Sequence, residues 1–231
     1  MAERNDPSAA LCVLGSISIN IEGQPVSVGG EKPRRLLAML ILNRNAVVSA
    51  ERLMEVIWGD RVPDAGLPTL QSYVSRLRRL LPSSARLATQ APGYRLAVDP
   101  GTTDTDRFEA ALGSGLDVME TSPQTTLRHL DEALAEWRGE AYAEFAHEWW
   151  AQAEASRLGE LRLHAREARV TALLALRLDE RAASEAEALT VDHPWRETPW
   201  RAMLLALYRA GRQGDALRKA SEYRALSLIH I

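Results

Sequence analysis

TLQSYVSRLRRLL, residues 69–81, is the stretch from which the rest of the chain can be read. Leu70, Tyr73, Val74, Leu77, Leu80 and Leu81 fall on one stripe at the period of an amphipathic helix. The opposite face carries Gln71, Ser72, Ser75, Arg76, Arg78 and Arg79. Thr69 is the expected N-cap, and Pro82 ends the run. One face is apolar enough to hold the helix on a core. The other gathers arginines among short hydrogen-bonding side chains.

Two helices are expected ahead of this one. Ile17, Ile19 and Ile21 alternate with polar residues, and Glu22-Gly23-Gln24-Pro25 is turn chemistry, so residues 11–28 read as short strands. A helix follows Gly29-Gly30, with Pro33 tolerated in its first turn and Leu36, Leu37, Leu40 and Ile41 as its buried face. Ser49 caps the next helix, with Leu53, Val56 and Ile57 turned inward, then Trp58, and Gly59-Asp60 stops it. The loop RVPDAGLP leads into residues 69–81, and RLATQAPGYRLAV, residues 86–98, reads as a hairpin around Ala91-Pro92-Gly93.

Charge separates the two halves. The chain of 231 residues has a net charge of -3, which resolves into +3 over residues 1–99 and -6 over residues 100–231. No acid occurs from Ala65 to Val98, a stretch holding Arg76, Arg78, Arg79, Arg86 and Arg95. Among the basic residues only Lys32 and Lys219 are lysine. That skew runs through the acidic half as well, so a GC-rich genome explains it better than ligand chemistry does. The composition excludes a disordered chain and a disulfide scaffold. Cys12 is read as buried packing in a reducing compartment. No apolar run approaches membrane-spanning length, so no membrane partner and a cytoplasmic location are expected.

Strands, three helices and a hairpin are the order of a winged helix-turn-helix, in which the third helix fits the major groove of double-stranded DNA. A merely solvated helix would carry a similar face. The acid-free stretch and the flanking order favour the DNA reader. DNA contact is expected only within the first hundred residues, since the acidic half offers phosphates no surface.

An enzyme is not expected. His129, His147, His164, His193 and His230 have no second His at metal-binding spacing, and His147-Glu148-Trp149-Trp150-Ala151 lacks the second His of a zinc protease. Glu144, Glu148, Asp131 and Glu132 read as solvated carboxylates on helix surfaces. No catalytic residue, metal ligand or cofactor site is assigned.

From Asp104 onward Ala, Leu, Glu and Arg recur at helical period, with helices expected over 104–115, 122–137, 147–177, 180–192, 196–210 and 213–225. An offset of 34 residues aligns Leu173 with Leu207, Ala182 with Ala216, Ala186 with Ala220 and Leu189 with Tyr223. Pro194 and Trp200 fall at the proline and first aromatic of a tetratricopeptide repeat, and Leu204 departs from its small residue. Generic antiparallel helices are the plainer alternative. Trp149, Trp150, Trp195 and Trp200 read as core, with a groove or subunit contact as the other option. The fold class is therefore an α+β winged helix-turn-helix followed by an all-α, tetratricopeptide-like helical domain.

Residues 11–99 resemble the OmpR/PhoB-type winged-helix DNA-binding domain through RLMEVIWGD, TLQSYVSRLRRLL and APGYRL. Residues 104–225 resemble the bacterial transcriptional activator domain through DTDRFEAAL, LDEALAEWRGEAY and HPWRETPWRAMLLALYRAGRQGDAL. The pair in this order resembles the Streptomyces antibiotic regulatory protein family. The resemblance implies an activator of biosynthetic gene clusters that binds promoter direct repeats as a homodimer and recruits RNA polymerase. It implies base contact by Arg76, with Ser72 and Ser75 facing the groove, and Gln71 joins them as a DNA-facing residue from the reading of the helix face. Phosphate contacts are implied for Thr69, Tyr73, Arg78 and Arg79, with Trp58 and Gly59 near the DNA backbone. Gln90-Ala91 replaces the basic residue often found before the wing turn, which leaves Thr89 and Arg95 as the wing's phosphate contacts. A helical interaction scaffold, or the front of a larger regulator with an ATPase module, is the competing reading.

Two terminal stretches stand apart. Residues 1–10 are expected to be disordered. LSLIHI, residues 226–231, is what a transposon-end sequencing adapter encodes, and is expected to replace the true C-terminus.

Overall fold

The computed structural model describes residues 10–228, which leaves the first nine residues and the last three of LSLIHI outside the described structure. The described residues divide into two compact units. The first comprises residues up to Phe108 together with Glu136–Gly159; the second comprises Glu109–Ala135 and the chain from Glu160.

The first unit opens with strands β1 (Ala10–Cys12), β2 (Ser18–Ile21) and β3 (Gln24–Val26), an antiparallel sheet in that order. Leu11 pairs with Ile19 and Asn20 with Pro25, so the alternating isoleucines take one face, and Ile17 and Ile19 are buried. Ala10 is the first residue of β1 and not part of an irregular tail. Three helices follow: α1 (Glu31–Leu42), α2 (Ala50–Trp58) and α3 (Gly66–Leu80). Leu36, Leu37, Leu40, Leu53, Leu70 and Leu77 are each at most 1% exposed, which puts the apolar stripe of every helix in the core. Ser49 caps α2, its hydroxyl accepting from Arg52 N at 3.1 Å, an arrangement worth about 1 kcal/mol.

Thr69 is not a cap. The helix begins three residues earlier, because Pro68 lies in the first turn, where a missing N–H costs nothing. Thr69 instead donates its hydroxyl back to Ala65 O at 2.7 Å.

The wing is the hairpin β5 (Ala85–Gln90) and β6 (Gly93–Val98). A third strand, β4 (Val47–Ser49), which the sequence reading lacks, pairs with β6, so the sheet order is β4-β6-β5. Gly93 is required at this crossing, since a Cβ there would lie 2.0 Å from Val48 O.

Residues 136–159 complete this unit and are not one helix. The expected helix over 147–177 begins only at Gln152; the residues before it form turns around buried Tyr142, Phe145 and Trp150. Arg138 N donates to Leu14 O at 2.8 Å and Tyr142 N to Val13 O at 2.7 Å, so this stretch pairs with the chain just after β1. Those bonds compete successfully with helix formation because burying three aromatic rings offsets the irregular backbone. Asp104, wholly buried, accepts from Val13 N and Leu14 N at 2.9 Å and from Arg138 Nη2 at 2.5 Å.

Helices α4 (Asp104–Asp117), α5 (Pro123–Ala135), α6 (Gln152–Ala175), α7 (Asp179–Asp192), α8 (Glu197–Arg209) and α9 (Gln213–Leu228) make up the rest. The core of the second unit holds Leu173, Ala182, Ala186, Leu189, Trp200, Met203 and Leu207, with Ala216 and Tyr223 packed against it. Of these, Leu173, Ala182, Ala186, Leu189, Leu207, Ala216 and Tyr223 are positions aligned by the 34-residue offset, whereas Ala220, aligned with Ala186, is not among them. Trp200 Nε1 donates to Pro194 O at 2.9 Å, tying the proline to the first aromatic of the repeat. Of the four tryptophans read as core, Trp150 and Trp200 are buried, whereas Trp149 and Trp195 are 52% and 63% exposed.

Candidate nucleic-acid interface

Helix α3 turns Leu70, Val74 and Leu77 inward and leaves Gln71, Ser72, Ser75, Arg76, Arg78 and Arg79 exposed. Arg76 and Arg79 have no hydrogen-bonding or ionic partner among the described residues. Arg76 lies along the backbone at Gly29, where a Cβ would stand 3.1 Å from its guanidinium. Gly29 has φ +109°, so the glycine serves both the turn into α1 and the close approach of the arginine. Gln71 and Ser75 are open to solvent, while Ser72 donates to Pro68 O at 3.1 Å.

Arg78 is held differently from its neighbours. Its Nε donates to Leu87 O and its Nη2 to Thr89 Oγ1, both at 2.8 Å, so it bridges α3 to strand β5 of the wing. Arg78 and Thr89, expected as separate phosphate contacts, are thus a single brace between helix and wing. Arg95 lies in β6, the central strand, opposite Val47 and Ala88, and its Nε is buried without a partner.

Trp58 closes α2 and stacks on Tyr73 of α3, with ring centroids 6.3 Å apart and planes 17° from parallel. Lys32 Nζ sits 5.8 Å from the Trp58 ring. Gly59 follows as the exposed C-cap of α2. These groups surround a cleft of about 730 Å³ lined by Lys32, Arg35, Trp58, Gly59, Tyr73 and Arg76. Four of the expected DNA-facing residues are therefore brought together around it.

Sequence reasoning missed the fourth wall of this cleft. Glu148 and Trp149 line it as well. Glu148 and Glu144 are not solvated helix carboxylates: Glu148 pairs with Arg35 at 2.7 Å and Glu144 with Arg34 at 2.5 Å. Arg35 also reaches Glu31 at 2.9 Å. Burial works against its charge, but the hydrogen bonds to Glu148 and Glu31 prevail and hold its pKa above the ordinary arginine value. Trp149 is covered by the Arg52 guanidinium, 3.9 Å from its ring centroid. No local signal marked these residues, since Glu144 and Glu148 meet Arg34 and Arg35 across separations of 110 and 113 residues.

Comparison with known proteins decides the family. The bacterial transcriptional activator domain matches residues 103–228, and the C-terminal domain of transcriptional regulatory proteins matches residues 23–96. The regulatory protein DnrI of Streptomyces peucetius is 32% identical over 216 residues, covering 89% of this chain and 79% of DnrI. The chain belongs to the Streptomyces antibiotic regulatory protein family. The transcriptional regulatory protein EmbR of Mycobacterium tuberculosis is 35% identical over 211 residues, covering 89% of this chain and 54% of EmbR. This family member therefore spans about half the length of that relative. A solved structure of EmbR in complex with a low-affinity phosphopeptide superposes with a TM-score of 0.86 at 32% identity, covering 97% of this chain and 61% of that one. The winged helix-turn-helix followed by repeat-like helices is thus the fold of a known regulator.

Proposed function

We propose that this chain binds double-stranded DNA through α3 and the β5–β6 wing. On this reading it binds promoter direct repeats as a homodimer, recruits RNA polymerase and activates a secondary-metabolite biosynthetic gene cluster. It performs no catalysis, and its partner DNA puts it in the cytoplasm. One observation supports the reading above the rest. Among the described residues 10–108, the arginines whose side chains have no ionic or hydrogen-bonding partner are Arg61, Arg76, Arg79, Arg86 and Arg95, all but Arg61 within the acid-free stretch. Unpaired guanidinium groups on a helix of groove-fitting width match the phosphates and guanine edges of a duplex.

In this reading Arg76, with Gln71, Ser72 and Ser75, meets base edges, and Arg79 meets phosphate. Tyr73, Trp58 and Gly59 approach the backbone of one strand. Arg78 and Thr89 set the angle between helix and wing while staying within reach of phosphate, as does Thr69. Arg95 serves the wing.

A gel shift with the DNA upstream of the chain's own gene, at two salt concentrations, tests the proposal. Binding that falls steeply with salt, and that exceeds binding to a scrambled fragment, supports it. Absence of salt-dependent binding to any promoter fragment favours a scaffold.

A further inference from the structure

Residues 136–159 belong to the compact unit that carries α3, yet lie outside the stretch 23–96 that matches the regulatory C-terminal domain. They bring five carboxylates, Glu136, Glu140, Glu144, Glu148 and Glu154, against two arginines, Arg138 and Arg157. Residues 1–99 alone carry +3, but the unit as assembled, with residues 100–108 and 136–159, carries -1. The segment therefore reverses the sign of the body that presents α3.

Glu148 is the member of this set that lines the cleft beside Trp58, Gly59, Tyr73 and Arg76. Among the residues lining that cleft, the bases Lys32, Arg35 and Arg76 are equalled in number by the acids Glu31, Glu55 and Glu148, of which Glu31 and Glu148 pair with Arg35 and Glu55 with Arg52. Arg35, whose side chain is 20% exposed, is held between Glu148 and Glu31. A phosphate arriving at the end of α2 thus meets no net positive charge and finds Arg35 already engaged. The segment carrying Glu148 is anchored by the bonds of Arg138 N to Leu14 O and Tyr142 N to Val13 O and by the Asp104–Arg138 pair, and Glu148 N itself donates to Phe145 O at 2.9 Å. Physiological salt screens charges over ~8 Å, so a carboxylate lining the cleft acts directly on a phosphate that enters it.

We propose that Glu148 sets the charge of the DNA-facing cleft, withholding Arg35 from the phosphate backbone and so limiting both the affinity and the salt dependence of DNA binding. The proposal rests on the reading of α3 and the cleft as a DNA face. Glu148 acts through Arg35 and is a positioning residue. Its position makes the acidic part of the chain a brake on the basic part.

The test uses the full chain and a duplex from its own upstream region, with binding measured across a salt series and the thermal midpoint read alongside. Glu148→Gln keeps the shape and an acceptor for Arg35 but removes the charge. It should tighten binding about threefold to tenfold at low salt and steepen the log–log salt slope by about one unit. Removing the guanidinium in the same background, as E148Q with R35Q, should return both to the original values. Glu140→Gln removes an equal charge from an exposed site outside the cleft and should leave the slope unchanged. Unchanged affinity and slope in Glu148→Gln, with only the thermal midpoint lowered, would show a structural brace and overturn the proposal. An equal gain from Glu140→Gln overturns it too, by assigning the effect to bulk charge. If the unsubstituted chain shows no salt-dependent binding at all, the DNA reading itself fails, and the proposal with it.

Discussion

Arg76 and Arg79 of α3 and the paired arginines Arg169, Arg196 and Arg212 of the helical unit are the same residue in opposite circumstances. In the helical unit Arg169 spans Asp131 at 2.6 Å and also pairs with Glu185, Arg196 spans Glu160 and Glu167, and Arg212 spans Asp215 and Glu180. Arg169 joins α5, α6 and α7, Arg196 ties the start of α8 to α6, and Arg212 ties the start of α9 to α7. On α3, the side chains of Arg76 and Arg79 have no such partner, and no acid occurs in sequence from Ala65 to Val98. An arginine's role is therefore set by the acids within its reach. Where an acid engages the guanidinium, as at Arg169, the arginine is part of the scaffold; Arg76 and Arg79 are not engaged in this way.

This contrast can be broken or sharpened by substitution. The extreme of pairing is Asp104, wholly buried and bonded to two backbone N–H groups and Arg138. Asp104→Ala should cost about 3–5 kcal/mol, because it strands those donors in the core, and urea unfolding reads the loss. Arg169 is the intermediate case, its side chain 18% exposed between two acids. Arg169→Ala should lower stability by about 1–2 kcal/mol and leave DNA affinity unchanged, which equilibrium unfolding and a gel shift together check. Arg79→Ala should do the reverse. Stability should move by less than about 0.5 kcal/mol, while the salt slope of DNA binding flattens by about one unit on every sequence. The smallest effect belongs to Cys12, 1% exposed and with its thiol pKa pushed up by burial. A thiol reagent should modify it only when the protein unfolds, read as label incorporation with and without denaturant.

What the sequence made legible was local. The stripes of α1, α2 and α3, the Ser49 cap and the β5–β6 hairpin follow from period and turn chemistry, and the structure has them in place. Strand β4 was illegible because Val47–Ser49 is three residues long and becomes a strand only by pairing with β6. The start of α3 was misplaced because Pro68 reads as a stop signal, although it is harmless in a first turn. The brace of Arg78 on Leu87 and Thr89 depends on where the wing folds back, which no periodicity encodes.

Residues 136–159 are the instructive failure. Their Ala, Glu and Arg content suits a helix, so Glu144 and Glu148 read as solvated. Three buried aromatics and the backbone bonds to Val13 and Leu14 instead bind the stretch to residues more than a hundred positions away. Such contacts decide the charge of the α3-bearing unit, and a count by sequence halves places those charges in the wrong body.

The proposed base contact of Arg76 stands on its unpaired guanidinium. Binding of Arg76→Ala to the chain's own upstream fragment and to a scrambled duplex, at one salt concentration, tests it most directly. A loss of about 1–3 kcal/mol on the upstream fragment, a smaller loss on the scrambled duplex and an unchanged thermal midpoint are the expected result. Equal losses on both duplexes, or none on either, would contradict it.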